Sequence, residues 1–238
     1  MITGTLRKQT GFARPLPGSA NDNKLAQTAI ITATPGARSF LKQVMDRAGA
    51  LAGLIVLSPV LVALALMVKR DGGPAFYGQP RIGQHGRKFR CWKFRSMVPN
   101  AGEVLQELLA RDPEARSEWE RDFKLKNDPR VTKLGAFMRK TSLDELPQLW
   151  NVFKGEMSLV GVRPVTEAEL ANYGDRIGDY YAMLPGMTGL WQVIGRNDVT
   201  YAERVDMDSQ YVRNWSFFGH IGIIFKTIGV MLQKRGAY

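Results

Sequence analysis

The sequence predicts an α+β fold, mainly helical, on three observations. Ala48 to Val68 is a run of 21 residues without a charge, interrupted by Ser58-Pro59. Ala75 to Ile82 and Lys88 to Phe94 read as two short strands around a Gly-Gln-His-Gly turn, a hairpin pattern. Later segments repeat apolar residues at helical spacing, the last of them from Trp215 to Leu232.

Taken in order, residues 1–39 form a polar arm with scattered Gly, Pro, Asn and Thr, read as disordered and carrying no secretory signal. Residues 40–70 form the apolar unit. As a straight helix its 21 uncharged residues would run about 31 Å, the thickness of a bilayer core, which makes a soluble core helix the weaker reading. Pro59 removes a backbone donor and clashes with the preceding turn, so a bend is expected there, and the Ser58 hydroxyl is placed to bond a freed carbonyl. Arg38, Lys42 and Arg47 precede the run, and Lys69, Arg70, Arg81, Arg87 and Lys88 follow it. Two basic flanks fit a broken helix that enters and leaves on one membrane face; a single Pro-kinked span is the alternative.

Residues 71–238 form the remaining domain. After the hairpin, Glu103 to Ala110 and Pro113 to Phe123 read as helices with a mixed-charge surface. Val131 to Lys140 reads as a basic amphipathic helix and Leu143 to Val152 as a shorter one. Met157 to Val162 is a short strand or extended run, and Thr200 to Asn214 a polar helix. Trp215 to Leu232 suits either the membrane interface or the domain core, and Lys226 in its middle argues against a second span.

Composition narrows the chemistry. The 33 Lys and Arg against 22 Asp and Glu, a formal charge of +11, favour a polyanionic partner: nucleic acid, anionic lipid or a phosphorylated substrate. Cys91 stands alone, which excludes an intrachain disulfide. With only His85 and His220 besides, a thiolate or imidazole zinc cluster is excluded too, leaving a hard cation on carboxylate and phosphate oxygens as the metal to expect.

Thr141 to Gln148 carries the adjacent carboxylates Asp144 and Glu145. Ser142 three residues before Glu145 has capping-box spacing, which places Asp144 in a first helical turn where the dipole favours negative charge. Pro147 fits that helix poorly and moves its regular start towards Leu146. The second reading takes its weight from Arg130, Lys133, Arg139, Lys140 and Lys154 nearby. Among such cations, one carboxylate suits nucleophilic attack on phosphorus and its neighbour suits holding magnesium. Arg163, in a Gly-Val-Arg-Pro turn, is a candidate phosphate ligand. Lys93 and Arg95 alternate with Trp92 and Phe94 and are candidates to face the same anion. Gly186, Gly189, Trp191 and Gln192 suggest a tight turn with an aromatic wall for a base or sugar.

In this order the motifs resemble those of the bacterial sugar transferase family, the monotopic polyprenyl-phosphate phosphoglycosyl transferases, in particular their short exopolysaccharide-initiating members. The resemblance covers about Phe40 to the C-terminus and rests on Ser58-Pro59, Lys93 to Met97, Asp128-Pro129-Arg130, Leu143 to Gln148, Ser158 to Pro164 and Pro185 to Gln192. It implies a re-entrant helix in the bacterial inner membrane, with the catalytic domain and its interfacial helices on the cytoplasmic face. It implies a UDP-sugar donor, Mg2+ and an undecaprenyl phosphate acceptor, with galactose or glucose as the sugar. It assigns Asp144 as nucleophile, Glu145 to magnesium, and Arg163 to phosphate, with Arg139 and Lys93 as further candidates for that contact. A homo-oligomer and downstream glycosyltransferases are candidate partners; no nucleic acid is expected. Longer members carry further transmembrane helices ahead of this region, where here a polar arm precedes Phe40. The rival reading is a non-catalytic membrane scaffold that recruits polysaccharide enzymes.

Overall fold

A computed structural model describes residues 37–122, 124–194 and 199–232; nearly all of the polar arm lies outside them. Helices α1 (Ala37–Val56) and α2 (Ser58–Lys69) are set 64° apart. The bend falls where the sequence places it. Pro59 is the second residue of α2, and Ser58 Oγ donates to Ile55 O at 2.7 Å, occupying a carbonyl that the break would strand. No single described helix is long and apolar enough to cross a membrane; the bent pair passes that test by length and composition.

The two limbs pack on different parts of the domain. α1 lies on α6 (Gln148–Lys154) and β3 (Ser158–Val160), burying Ala50 against Leu149, Val152 and Met157. α2 buries Leu64 and Val68 against Phe94 of β2 (Lys88–Phe94) and Met138 of α5 (Lys133–Thr141). The helices α5 and α6 flank the acidic segment, so that segment sits between the seats of the two limbs. The outer faces stay apolar and open: Val56 is 73% and Leu66 64% exposed.

β1 (Phe76–Ile82) and β2 pair antiparallel from Phe76↔Phe94 to Ile82↔Lys88, joined through a Gln84–Gly86 turn in which His85 takes φ 57°. Asn151 of α6 straps the hairpin down, accepting from Trp92 N at 3.0 Å and donating to Arg90 O at 2.7 Å. α3 (Ala101–Arg111) and α4 (Pro113–Asp122) form as expected, and they pack on each other. α5 starts at the Thr132 cap, whose hydroxyl accepts from Gly135 N at 2.9 Å. A Cβ on Gly135 would stand 1.9 Å from Ser96 O, so only glycine lets α5 lie against that backbone.

The helix expected over Leu143 to Val152 is divided. Leu143–Glu145 is a single 3-10 turn, and α6 begins only at Gln148, with Pro147 as its N-cap. Proline is tolerated ahead of the first hydrogen-bonded turn and not inside it, which fixes the division. The expected capping box is absent: Ser142 is left-handed (φ 57°) and makes no side-chain cap hydrogen bond.

After β3 the chain crosses through a 3-10 segment (Ala168–Arg176) and α7 (Ile177–Ala182) to β4 (Gly186–Thr188), which runs parallel to β3. β4 was not legible as a strand; its three residues lie in the glycine-rich run read as a turn. Added Cβ atoms on Gly161, Gly186 and Gly189 would stand 2.1–2.4 Å from main-chain atoms, so these glycines are what lets the β3 turn and β4 touch.

α8 (Leu190–Ile194), α9 (Tyr201–Arg213) and α10 (Phe217–Leu232) complete the domain. α9 opens on a true capping box, Thr200 with Glu203. α10 packs one face into the core, with His220 and Ile223 buried, and leaves the other open, with Phe218 86% and Phe225 70% exposed.

Candidate active site

A shallow cleft opens between the hairpin, the acidic segment and the β3–β4 turns, lined by Arg81, Cys91, Lys93, Glu145, Gln148, Arg163, Pro164, Gly186, Met187 and Gln192. Three structural features converge there. The β1–β2 register puts Arg81, Cys91 and Lys93 on one hairpin face, because residues two apart share a face and cross-strand partners match it. The 3-10 turn carries Glu145 to the rim, and the Gly161–Pro164 turn delivers Arg163.

Glu145 is not a cap but a partner of Lys93, with Nζ and Oε1 2.5 Å apart and both side chains partly exposed. Asp144 turns inward and is 8% exposed. Burial, and then the neighbouring Glu145, push its carboxyl above the usual aspartate range; Lys93, Arg139 and its own backbone N–H pull the other way. Among the described residues no cation forms an ion pair with it. Arg139 is oriented by Ser96, donating from Nε to Oγ at 2.9 Å.

Of the residues predicted to act, Lys93, Glu145, Arg163 and Gln192 line the cleft, and Asp144 and Arg139 stand beside it. Arg95 does not join Lys93. It lies one residue beyond β2, and all five of its N–H donors are used: Nε on Pro74 O, Nη1 on Asp71 and Met97 O, Nη2 on Asp71 and Val68 O. It therefore fastens the end of α2. Trp191 is a buried ring with Arg163 and Arg204 over it, at 5.7 and 4.6 Å, and not an open wall of the cleft. Two of the cations that weighted the acidic pair are committed elsewhere: Arg130 forks onto Asp128 at 2.8 and 2.7 Å, and Lys154 pairs with Glu156 at 2.6 Å.

Arg81, Cys91 and Gln148 were not singled out as site residues. For Arg81 and Cys91 the signal was present, since strand alternation places both on the Lys93 face. Burial pushes the Cys91 thiol up to about 11, which leaves it protonated and a poor nucleophile. The described residues contain no group of three or more His, Cys, Asp and Glu side chains able to hold a metal. A divalent ion here would rest on one or two carboxylates and on substrate oxygens, the coordination magnesium accepts.

A bent apolar helix pair seated on a small α+β domain, beside a cleft in which Arg81, Lys93 and Arg163 meet Glu145, defines a class of domain with a cation-lined cleft next to an exposed apolar hairpin of helices. More particularly, the chain belongs to the bacterial sugar transferase family, whose profile matches residues 37–234. It is 62% identical over 199 residues to the UDP-galactose-lipid carrier transferase of Erwinia amylovora and 60% over 200 residues to the undecaprenyl-phosphate galactose phosphotransferase of Salmonella typhimurium. Each match covers 84% of this chain and 42% of the relative, so the chain corresponds to less than half of those proteins' length. It is 46% identical over 232 residues to the exopolysaccharide production protein ExoY of Rhizobium meliloti, covering 97% of this chain and 93% of that one.

Proposed function

We propose that this protein transfers a sugar 1-phosphate from a UDP-sugar, UDP-galactose or UDP-glucose, to undecaprenyl phosphate and so begins an exopolysaccharide repeat unit. The observation that carries the reading is the inward-facing, unpaired Asp144 beside a cationic cleft, between the seats of a bent apolar helix pair. The names of the relatives supply the substrate classes. The open apolar faces at the bend and on α10 support a seat in a membrane; in this reading it is the inner membrane, with the domain on its cytoplasmic face.

In this reading an Asp144 carboxylate oxygen attacks the sugar-bearing phosphorus of the donor. The diphosphate bridge breaks, UMP leaves, and the phosphosugar stays on Asp144. An oxygen of the lipid phosphate then attacks the same phosphorus, releasing the carboxylate and giving a polyprenyl diphosphate sugar. Two anionic substrates thus use one cationic site in turn. Arg163 and Arg139 hold phosphate oxygens, and Lys93 exchanges its hold on Glu145 for the incoming charge. Magnesium, when bound by Glu145 and the donor, neutralises phosphate oxygens. A carboxylate whose pKa is raised is a stronger nucleophile once ionised, and burial of Asp144 serves that end.

The test is UMP release across UDP-sugars, with purified protein, undecaprenyl phosphate and magnesium. Release confined to UDP-galactose or UDP-glucose supports the reading. Absence of release from every UDP-sugar rejects it in favour of a scaffold.

A further inference from the structure

We propose that the Arg204–Asp208 face of α9 positions the donor-phosphate site, holding Arg163 in place through the Trp191 ring and the buried Asp208 carboxyl; this rests on the transferase reading above. Arg204 and Asp208 are four residues apart on α9, so they project from one face. Neither lines the cleft, and each meets a part of the structure that Arg163 depends on.

Arg204 places its guanidinium carbon 4.6 Å from the centre of the Trp191 ring, over which Arg163 also lies. Among the described residues Trp191 Nε1 and Arg204 Nε are buried and make no hydrogen bond, so stacking, not hydrogen bonding, sets their mutual orientation. Asp208 is 2% exposed and accepts from Tyr173 Oη at 2.9 Å. Burial pushes its carboxyl up to about 7, opposed by Tyr173 and by the nearby Arg163. Among the described residues Asp208 Oδ1 accepts no hydrogen bond, so Asp208 acts on Arg163 as a charge fixed in place by Tyr173, while Arg204 steadies the ring over which the Arg163 guanidinium lies. A fork meant for a diphosphate must be held in one orientation before the ligand arrives, because ordering it on binding weakens affinity. α9 is itself anchored for this role, by its capping box and by Val205 in the core around Tyr173 and Tyr180.

Calorimetric titration of UDP with magnesium into the detergent-solubilised full chain tests the proposal without requiring turnover. Arg163→Ala and Arg204→Ala should each weaken UDP binding by about tenfold, the scale of a desolvated cation–π contact or charged hydrogen bond. The double variant should be no weaker than Arg163→Ala alone, because Arg204 acts through Arg163. Arg204→Lys should recover little, since a point charge lacks the planar stack. Where Arg204→Ala does not fold, Asp208→Asn takes its place; it keeps an acceptor for Tyr173 and should show the same non-additivity. Additive losses, unchanged UDP affinity in Arg204→Ala, or no UDP binding by the wild type overturn the proposal. A wild type that binds UDP and releases no UMP rejects the transferase reaction and leaves the coupling measurable.

Discussion

Two buried acidic centres, Asp46 in α1 and Asp144 between α5 and α6, are built on opposite terms. Under α1, Asp46 is surrounded. Oδ2 accepts from Lys42 Nζ at 2.8 Å and lies 2.7 Å from Ser158 Oγ, which also accepts from Lys42. Oδ1 is 3.4 Å from Leu159 N and 3.3 Å from His220 Nε2, and Tyr211 Oη closes the far side 3.1 Å from His220 Nδ1. This cluster joins α1, β3, α9 and α10, and all of its side chains are buried. At the cleft, Asp144 is nearly as buried but has no such shell, and its neighbour Glu145 is held by one half-exposed lysine. The difference separates a fastener from a candidate reaction site. Around Asp46 the buried charges are paired, and they hold α1 to the domain. Asp144 has no ion-pair partner among the described residues, and an uncompensated buried carboxylate is the pattern that marks candidate functional sites.

The sharpest way to break this comparison is Asp144→Asn. UMP release should fall by at least about a thousandfold, roughly 4 kcal/mol of barrier, while the protein stays folded and membrane-associated. Stability should move the other way. A carboxyl whose folded pKa is raised lends its full stability only below the ordinary aspartate range and loses it as pH rises through the folded value. Asparagine avoids that loss, so its melting temperature should exceed the wild type's at pH 7, with the gap closing as pH falls below the ordinary aspartate range. By the same sign, wild-type activity should rise with pH along a limb set above that range. A lower melting temperature at pH 7 would remove Asp144 from the strained class.

Asp46→Asn should do the reverse. Removing one partner of a buried pair leaves Lys42 uncompensated, at a cost of about 3–5 kcal/mol. Thermal melting should therefore drop steeply, while UDP affinity in the folded fraction holds. Replacing both partners together, Lys42→Met with Asp46→Leu, should recover much of the loss. If UDP affinity falls as far as stability, the two centres are not separate.

The smallest structural effect belongs to Glu145→Gln. Its half-exposed pair with Lys93 contributes at most about 1 kcal/mol, so melting should shift little. Its functional signature is the magnesium titration, which should move to higher concentration. An unchanged titration removes Glu145 from the metal role.

Much of the fold was legible because its determinants are local. Pro59 bends the apolar run wherever the domain lies, period-2 alternation makes the hairpin, and Thr200 with Glu203 caps α9 from three residues away. The same local logic misled at Ser142 and Glu145, which have capping spacing but not capping backbone. Lys93, 52 residues upstream, took Glu145 instead. Arg95 and Arg130 read as available cations because their partners could not be seen: Asp71 and three carbonyls for one, Asp128 and the Trp119 ring for the other.

By itself the sequence determined the broken apolar helix, the hairpin, the acidic pair and the family. These rest on backbone sterics and on residue order, which do not depend on what lies across the molecule. Packing alone set that Asp144 is buried with no ion-pair partner among the described residues, that Asp46 is buried against Lys42 and Ser158, and that Arg204 and Arg163 share the Trp191 ring. A charge is defined by its surroundings, and those surroundings are assembled by packing between segments far apart in the chain.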